Sequence, residues 1–477
     1  MSMLAPPRPA APRSAETGRE QPLRHPDHSS RAVMTRRGWW LVVLNLLVPG
    51  SAQLLAGNRR LGRFGVASTL LMWTLVVAAA VTAVMWRSVL LTIATNWFAL
   101  LLVQGLLIAY ATLWVVLTVD TLRLVRLVKT GRRARYGIAV TAVALLVVTS
   151  GTAFQAAGAT GTARETMGAI FGASGPTMEP SDGYYNILLL GADHVTTNDS
   201  KRFDSISVVS INAETGATTI TGFPRDMPGF PFSDGPMKDR YPNGHEGHAD
   251  ATCGWGSGIN QLNTEVEVCQ EGDLIYPEAV ANGSTPGIEA TKDATEGILG
   301  IEIPNYVTID MYAFEALIDA LGGVEITVKE RIPIGGPHHT GQPLDEWVKG
   351  WIEPGTQRMD GFTAQWYARS RHTTSDFDRM RRQRELQQAI LDQFTPQVVL
   401  TRFQELADAG ADLVSTDVPQ SFIPKLLDLA LKAKEQKVTT IELTPAGGID
   451  EDSPDWAYIR DLVQSTLHPP ADATPEG

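Results

Sequence analysis

Six arginines lie in the short stretch YARSRHTTSDFDRMRRQRE, which runs from Tyr367 to Glu385. A guanidinium group suits phosphate oxygens because it donates two parallel hydrogen bonds and keeps its charge. Arg369 and Arg371 alternate in YARSR, as two residues on one face of an extended segment do. Arg225, which follows a predicted strand in GFPRDM, is a third candidate. These residue types predict a site that binds phosphate groups.

The arginine stretch continues into a predicted helix near 378–395. At 3.6 residues per turn, three apolar residues define the inward face of this helix: Leu386, Ile390 and Phe394. Arg379 and Gln383 lie within that face, whereas Arg381 and Arg384 point away from it. A buried arginine without an anionic partner is costly. We therefore expect a carboxylate of the protein, or an anionic ligand, beside Arg379.

Two acids at strand ends complete the predicted site. Asp193 ends a buried strand in NILLLGAD, and Asp204 begins the next strand in KRFDSIS. Mg²⁺ prefers oxygen ligands and shares them with phosphates, so these carboxylates predict bound Mg²⁺ (or Mn²⁺). Asp226 follows Arg225 directly and is explained equally by a local ion pair. The alternative for the arginine stretch is a solvated helix start that pairs with nearby acids, namely Asp376, Asp378 and Glu385.

The elements that must position these residues alternate between strands and helices. Strands are predicted at 186–190, on both sides of the turn Ala-Glu-Thr-Gly, and in YVTIDM, VEITVKE and KVTTIEL. Helices are predicted in YAFEALIDALGG and near 257–268, 289–299, 360–369, 378–395 and 419–434. This alternation favours an α/β domain of roughly 270 residues, with a mixed central sheet flanked by helices.

The first third of the chain has a different composition. Residues 1–160 hold 17 of the 40 Lys and Arg residues, so the remainder holds 23. They hold 4 of the 52 Asp and Glu residues, so the remainder holds 48. The net charges are therefore +13 and −25, an imbalance that argues against a nucleic-acid partner. Four apolar segments, at roughly 39–57, 64–86, 95–119 and 137–157, are each near the ~20 residues that a spanning helix needs. They predict an α-helical multi-span membrane region.

Positive charge sets the predicted orientation of the spans. Arginines flank the first apolar segment on both sides: Arg36, Arg37, Arg59, Arg60 and Arg63. Because both flanks favour the cytoplasm, this segment is predicted to re-enter at Pro49-Gly50; an ordinary fourth span is the alternative. The loop from Arg123 to Arg135 carries six positive charges and no acid, so it is also predicted to be cytoplasmic. Three spans then place the residues after about 160 outside the cell, in a multi-pass plasma-membrane protein.

Both cysteines, Cys253 and Cys269, fall in the outer part, where they are predicted to form a disulfide; free thiols are the alternative. The predicted division of the chain has six parts. These are a disordered cytoplasmic tail (1–37), a membrane region (38–158), a linker (159–183), the site-bearing part of the extracytoplasmic domain (184–396), its C-terminal part (397–465) and a polar tail (466–477).

Several motifs resemble, in order, those of the LytR-CpsA-Psr family of cell-envelope ligases: NILLLGAD, RFDSISVVSIN, ITGFPRDM, GINQLNTEV, YVTIDMYAFEALIDALGGVEI and the arginine stretch. The resemblance covers about residues 184–396, the predicted catalytic domain. It implies a mixed α/β fold around an apolar pocket that holds a polyprenyl chain. It also implies a phosphotransferase that moves a glycopolymer from polyprenyl pyrophosphate to a hydroxyl of peptidoglycan. The multi-span N-terminus departs from the single anchor usual in the family.

The resemblance assigns roles to individual residues. Asp193 and Asp204 resemble the family's Mg²⁺-associated aspartates. The pyrophosphate-binding positions are matched by Arg225, Arg369, Arg371 and Arg379, with Gln383 as the motif glutamine and Arg202 as a basic position before the aspartate. In the implied reaction an acceptor hydroxyl attacks the sugar-linked centre, helped by Asp204 or Asp226 as the base. The arginines offset charge on the leaving polyprenyl phosphate.

Two other functions use the same predicted site. A lipid pyrophosphatase would take water as the acceptor, and product analysis with and without peptidoglycan separates it from a ligase. A non-catalytic envelope receptor would bind phosphorylated polymers without turnover. Nucleotide use is not implied, because no Gly-rich phosphate loop is present.

Overall fold

The structure is a computed structural model of the whole chain. It describes residues 23–86, 89, 93, 96–170, 178–192, 202–248, 258–337, 342–370, 375–393 and 414–469. The chain divides into two compact units, one of residues 1–86 and 102–158 and the other of residues 87–101 and 159–477.

The N-terminal helices are α1 (Arg31–Leu47), α2 (Ser51–Ala56), α3 (Arg59–Met85), α4 (Trp97–Val125) and α5 (Arg132–Ile170), with a 3₁₀ turn at Leu127–Lys129. Three helical stretches in the described part are long and apolar enough to cross a membrane: Arg59–Met85, Trp97–Lys129 and Arg132–Thr162. They coincide with the last three of the four predicted apolar segments. That they form a multi-pass region with an outer domain stays a prediction.

The first predicted apolar segment, 39–57, is divided between α1 and α2. The chain turns between these helices at Pro49-Gly50, as predicted. Gly50 has a φ of +96°, and a Cβ at this position would lie 2.6 Å from the backbone nitrogen of Val66. The turn therefore requires glycine. Re-entry of this segment into a membrane stays a prediction.

Three helix limits differ from the bounds of the predicted parts, and the division itself stays a prediction. Helix α1 begins at Arg31, within the tail predicted as disordered (1–37), because the hydroxyl of Ser30 accepts a hydrogen bond from the Val33 amide and caps the helix. Helix α5 continues to Ile170, within the predicted linker (159–183), since no proline follows Arg132 before residue 176. The last helix ends at Leu467 and takes the first two residues of the predicted tail (466–477).

The second unit contains ten strands: β1 (Tyr184–Ala192), β2 (Phe203–Asn212), β3 (Thr218–Phe223), β4 (Asn305–Asp310), β5 (Val324–Val328), β6 (Ile332–Ile334), β7 (Gly350–Ile352), β8 (Gly355–Met359), β9 (Val414–Thr416) and β10 (Thr439–Glu442). Its helices are α6 (Pro236–Arg240), α7 (Ile259–Thr264) with a π-turn at Glu265–Cys269, α8 (Gly272–Ile275), α9 (Pro286–Leu299), α10 (Met311–Ala320), α11 (Leu344–Trp347), α12 (Gly361–Arg369), α13 (Asp376–Gln393), α14 (Ile423–Ala433) and α15 (Trp456–Leu467). Two 3₁₀ turns lie at Gln420–Phe422 and Pro445–Gly447. These are the elements of the described residues.

Six strands form one sheet in the order β10-β3-β2-β1-β4-β9. The pairs β1–β2, β2–β3 and β4–β9 are antiparallel, whereas β1–β4 and β3–β10 are parallel. The predicted mixed sheet is therefore confirmed. Two small antiparallel pairs, β5–β8 and β6–β7, lie beside it.

Helices cover both faces of the sheet. On one face the main core is formed by β1 and β2 residues such as Leu188 and Val208 together with α7, α9 and α15. On the other face α13 packs, and its Leu386 joins a second core with α12 and strands β5 and β8. The domain is thus a three-layer α/β arrangement in which α13 lies between the sheet and the second core.

Candidate functional site

Strands β1, β3 and β4 end, and β2 begins, along the same side of the sheet, which we call the strand-end edge. The last residue of β1, Ala192, pairs with Phe203 at the start of β2 and with Asp310 at the end of the parallel strand β4. The antiparallel pairing of Ile206 with Phe223 brings the end of β3 to the same place. Residues that follow these strand ends therefore meet, although they are far apart in sequence.

Arg225 and Asp204 form an ion pair at this edge, between guanidinium Nη1 and carboxylate Oδ1. The Nε of Arg225 also lies 3.3 Å from Oδ2 of Asp226. Burial disfavours the charged form of Arg225, but Asp204, Asp226 and Asp376 outweigh this effect and raise the pKa of Arg225. The pairing suggested for Arg225 and Asp226 is therefore present, and it extends to Asp204.

Arg379 and Gln383 face inward from α13, as predicted. The Arg379 side chain is almost fully buried, and its Nη2 donates to Oδ2 of Asp376 at 2.9 Å. This carboxylate is the expected anionic partner. Gln383 accepts a hydrogen bond from the Ser205 hydroxyl at 3.1 Å and donates to the Ala368 carbonyl at 3.3 Å. Gln383 thus links α13 to β2 and to α12.

Arg369 is the last residue of helix α12. The prediction that it lies in an extended segment is wrong, because the helix continues through YAR before it ends at Ser370. Its guanidinium carbon lies 5.3 Å from the centre of the Trp366 ring, and Nη1 lies 3.0 Å from the sulfur of Met311. These contacts hold an exposed cation at the site.

A cavity of about 520 Å³ opens among these groups and extends along the sheet. Its polar lining at the strand-end edge is formed by Asp204, Ser205, Asp310, Gln365, Arg369, Arg379 and Gln383. Most of the remaining lining is apolar, from the sheet (Leu189, Val209, Ile211, Ile220, Val307, Ile309) and from the helices (Phe314, Leu317, Leu386, Ile390, Ala430, Ala433), and Thr218 and Gln387 also contribute. Asp204 and Ile211 are seven residues apart on β2, so the lining extends over roughly 23 Å. Such a cavity fits a long hydrocarbon chain with an anionic head.

Three predicted site residues in the described part do not line this cavity, namely Arg202, Arg225 and Asp226. Asp226 is more exposed than Asp204, with 65% against 35% of the side chain accessible, and accepts a hydrogen bond from the Asn260 amide at 3.2 Å. Arg202 is exposed just before β2. Asp193, Arg371 and Cys253 lie outside the described residues, so their predicted roles, including the disulfide to Cys269, stay predictions.

Two further arginines of α13 are buried. Arg382 donates from Nε to the Tyr367 carbonyl at 2.8 Å and from Nη2 to the Ser370 carbonyl, which fixes the end of α12. Arg384, which was predicted to point away, lies 3.7 Å from Glu442 of β10. That prediction is wrong because the sheet covers the helix face opposite the second core. Burial lowers the pKa of Arg384 and raises that of Glu442, and each charge partly offsets the effect on the other.

Asp310 is a site residue that the sequence analysis did not identify. Its carboxylate caps α10 by accepting from the Ala313 amide at 2.8 Å, and it lines the cavity. The signal was its position in YVTID, at the carboxyl end of a strand that precedes a helix, where ligands of α/β sheets bind.

The fit to a metal ion rests on Asp204 and Asp310, two carboxylates on the polar lining of the cavity. Within the described residues, no group of three or more His, Cys, Asp or Glu could hold a metal. Mg²⁺ commonly takes one or two carboxylates and completes its shell with waters and phosphate oxygens. The donor set therefore fits an ion that arrives with a phosphorylated ligand.

Comparison with known proteins gives a family match. The model of the LytR_cpsA_psr family matches residues 148–229 and 264–464, which are more than half of the chain.

The curated relatives include biofilm regulatory protein A of Streptococcus mutans, which is 25% identical over 262 residues, 53% of this chain and 55% of that protein. They also include polyisoprenyl-teichoic acid–peptidoglycan teichoic acid transferase TagU of Oceanobacillus iheyensis, which is 25% identical over 57% of this chain and 70% of that protein. Among solved structures, TagV of Bacillus subtilis is 20% identical, covers 61% of this chain and 98% of that chain, and has a TM-score of 0.41. The matched part of this chain thus spans little more than half of the Streptococcus relative.

Replacing Arg382 by Met tests whether this buried residue positions the site. We expect a loss of roughly 1–3 kcal/mol of stability, because the Tyr367 and Ser370 carbonyls lose their donor in a buried setting. The matched control is Arg381→Met, whose partly exposed ion pairs with Asp378 and Glu385 contribute less than about 1 kcal/mol. Thermal unfolding of the purified full chain measures both. Equal midpoints for the two variants would contradict the assignment.

Proposed function

The chain belongs to the LytR-CpsA-Psr family, and from that premise we propose that it transfers a glycopolymer from a polyprenyl-pyrophosphate carrier to peptidoglycan in cell-wall assembly. The observation that carries the proposal is the apolar cavity whose polar edge holds Arg369 and Arg379. A carrier of this kind has the same two parts, a long hydrocarbon chain and a diphosphate. The relatives named as teichoic acid transferases support the reaction class.

The proposed binding mode follows from the division of the cavity. The hydrocarbon chain would lie along the sheet against side chains such as Val209 and Ile220, where its burial is favourable at about 25 cal/mol per Å² of apolar surface. The diphosphate would then meet the arginines at the strand-end edge. Before the ligand binds, Arg225 is paired with Asp204 and Arg379 is paired with Asp376.

The proposed reaction is an in-line displacement at phosphorus. The acceptor hydroxyl oxygen forms a bond to the sugar-linked phosphorus, and the bond from that phosphorus to the bridging oxygen breaks. Polyprenyl phosphate leaves with the electron pair, and Arg225, Arg369 and Arg379 offset its charge. We propose Asp226 as the base that takes the hydroxyl proton, because it is more accessible than Asp204 and is oriented by Asn260.

We also propose that Mg²⁺ (or Mn²⁺) assists this reaction. Asp204 would hold it together with Asp310, the other carboxylate of the cavity lining, and with Asp193, which lies outside the described residues. When bound, the ion supplies positive charge to the diphosphate oxygens. The proposed setting is the outer face of the plasma membrane, where both the lipid carrier and peptidoglycan are available, and the three candidate spans support it.

Removing the phosphate-binding arginines should abolish transfer. We expect Arg369→Ala and Arg371→Ala each to lower the rate at least a hundredfold while leaving membrane insertion intact, because the leaving group loses a cation. Transfer of a labelled lipid-linked polymer to peptidoglycan is the measurement. The control is Arg331→Ala, which removes an exposed arginine that stacks on Trp351 away from the cavity. Full activity of both single variants would count against the proposal.

Filling the cavity should discriminate between carriers by length. Val209→Trp places a large ring in the half of the lining that is farther from Asp204, so we expect at least a tenfold loss with a long polyprenyl carrier and a smaller loss with a short one. Val280→Trp, at an exposed position, is the control. Initial rates with carriers of two lengths give the comparison. An equal loss for both lengths would show that the chain does not lie along the sheet.

Chelation tests the proposed metal. EDTA should lower the transfer rate at least tenfold, and added Mg²⁺ or Mn²⁺ should restore it. Asp204→Asn should raise the Mg²⁺ concentration needed for half-maximal rate, whereas Asp234→Asn, at an exposed residue paired with Lys238, should not. An unchanged rate in EDTA would contradict the proposed role of the metal. It would not contradict the proposal that the arginines bind the diphosphate.

A further inference from the structure

A cluster of arginines in the first unit is left without a role by the proposed reaction. An open pocket of about 520 Å³ lies between the start of α1 and the start of α5. Four guanidinium-bearing residues line it, two from each helix: Arg31, Arg36, Arg132 and Arg133. All four side chains are exposed. Residues about 100 positions apart in sequence therefore present their positive charge to one pocket.

Hydrogen bonds from other residues build the frame of this pocket. The Thr35 hydroxyl donates to the Arg31 carbonyl at 2.8 Å and accepts from the Gly131 amide at 3.0 Å, which joins α1 to the start of α5. The neighbouring Arg37 is buried and donates to the Leu23 and Leu124 carbonyls, each at 2.7 Å. The frame thus fixes the spacing of the two helix starts without using the four pocket guanidinium groups.

The described part of this unit holds two acids, Asp120 and Asp27, and Asp27 accepts hydrogen bonds from the amide and the hydroxyl of Ser29. No ion pair is seen for Arg31, Arg36, Arg132 or Arg133 among residues 23–86 and 96–158. The only acid between residues 38 and 158 is Asp120, within α4. Burial lowers the pKa of His28, and Lys129, Arg126 and Arg37 lower it further, while Asp27 acts in the opposite direction. Four cations held close together favour an anion from outside this segment.

The surroundings of the pocket indicate the kind of anion. Trp39 and Trp40 follow on α1 with 39% and 52% exposure, and the Trp39 ring lies against Gly137 of α5. Both tryptophans lie where α1 changes from a polar to an apolar half, and tryptophans are enriched at the headgroup level of a bilayer. Arginine clusters beside spanning helices on the cytoplasmic side bind anionic lipid headgroups. A phosphate that belongs to a lipid meets both features, because its acyl chains extend beside the apolar helices.

We propose that this pocket binds the phosphate headgroup of an anionic phospholipid of the cytoplasmic leaflet. The four arginines supply charge and forked hydrogen bonds to the phosphate oxygens, and the Trp39 and Trp40 rings lie at the level of the glycerol backbone. The site is independent of the proposed transfer reaction, since it is built from the first unit alone.

The test is native mass spectrometry of the purified full chain with phosphatidylglycerol or phosphatidylcholine. We expect the wild-type protein to retain phosphatidylglycerol at least tenfold better than phosphatidylcholine. Combined Arg→Gln substitution at Arg31, Arg36, Arg132 and Arg133 should remove this preference. A control with the same charge change replaces Arg59, Arg60, Arg63 and Arg123, which lie outside the pocket, and should keep it.

A second variant tests whether the shape of the pocket is needed for lipid binding, because it fills the pocket and leaves the charge unchanged. Ala134→Phe fills the pocket with no change of charge and should lower phosphatidylglycerol retention at least tenfold. Unchanged retention in this variant, or an equal loss in the control set, would overturn the proposal in favour of diffuse charge.

Two further outcomes would assign the pocket to another anion. If inorganic phosphate at millimolar concentration displaced the lipid completely, the ligand would be a soluble phosphate. If deletion of residues 2–22, which include Glu16 and Glu20, were needed before any lipid bound, the chain's own tail would be the occupant.

Discussion

The geometry of the second unit depends on one helix that is buried on two sides. Helix α13 lies between the sheet and a separate apolar core, so its polar side chains must find partners within the protein. Gln383 and Gln387 contact Ser205 and Ser207 of β2, at 3.1 and 3.3 Å. Each such bond contributes only about 1 kcal/mol net, but leaving a buried partner unsatisfied costs more. The glutamines therefore hold the helix at a fixed distance from the sheet, and the cavity is the space that remains beside them.

The charges at the cavity edge follow from the same constraint. Arg379 is almost fully buried, and Asp376, one turn earlier on the helix, neutralises it. Arg225 is paired with Asp204 in the same way, across two strands. An anionic ligand would enter a site where the cations are already oriented, and it would compete with carboxylates rather than with bulk water. Such preorganisation lowers the cost of ordering long side chains when the ligand binds.

The sequence pattern predicted the parts of this arrangement that depend on local periodicity. The strands around the Ala-Glu-Thr-Gly turn, helix α13 and the inward positions of Arg379 and Gln383 are confirmed. A single apolar stripe cannot reveal a second buried face, which is why Arg384 was placed outward. The cavity was also not predicted, because its size depends on the distance between the sheet and the helices that pack on it. Arg371 and Asp193, on which the resemblance also relies, lie outside the described residues.

The order of the central sheet places its latest strands at its margins. Strands β9 and β10 come after residue 413, yet they flank β4 and β3, whose outer edges stay open until this last seventh of the chain has been made. Open strand edges invite pairing with other chains. Strand β3 is complete at Phe223 and β10 begins at Thr439, so residues 224–438 are made while the outer edge of β3 lacks this partner. Until β9 and β10 are made, the incomplete sheet thus exposes backbone groups that a strand of another chain can pair with.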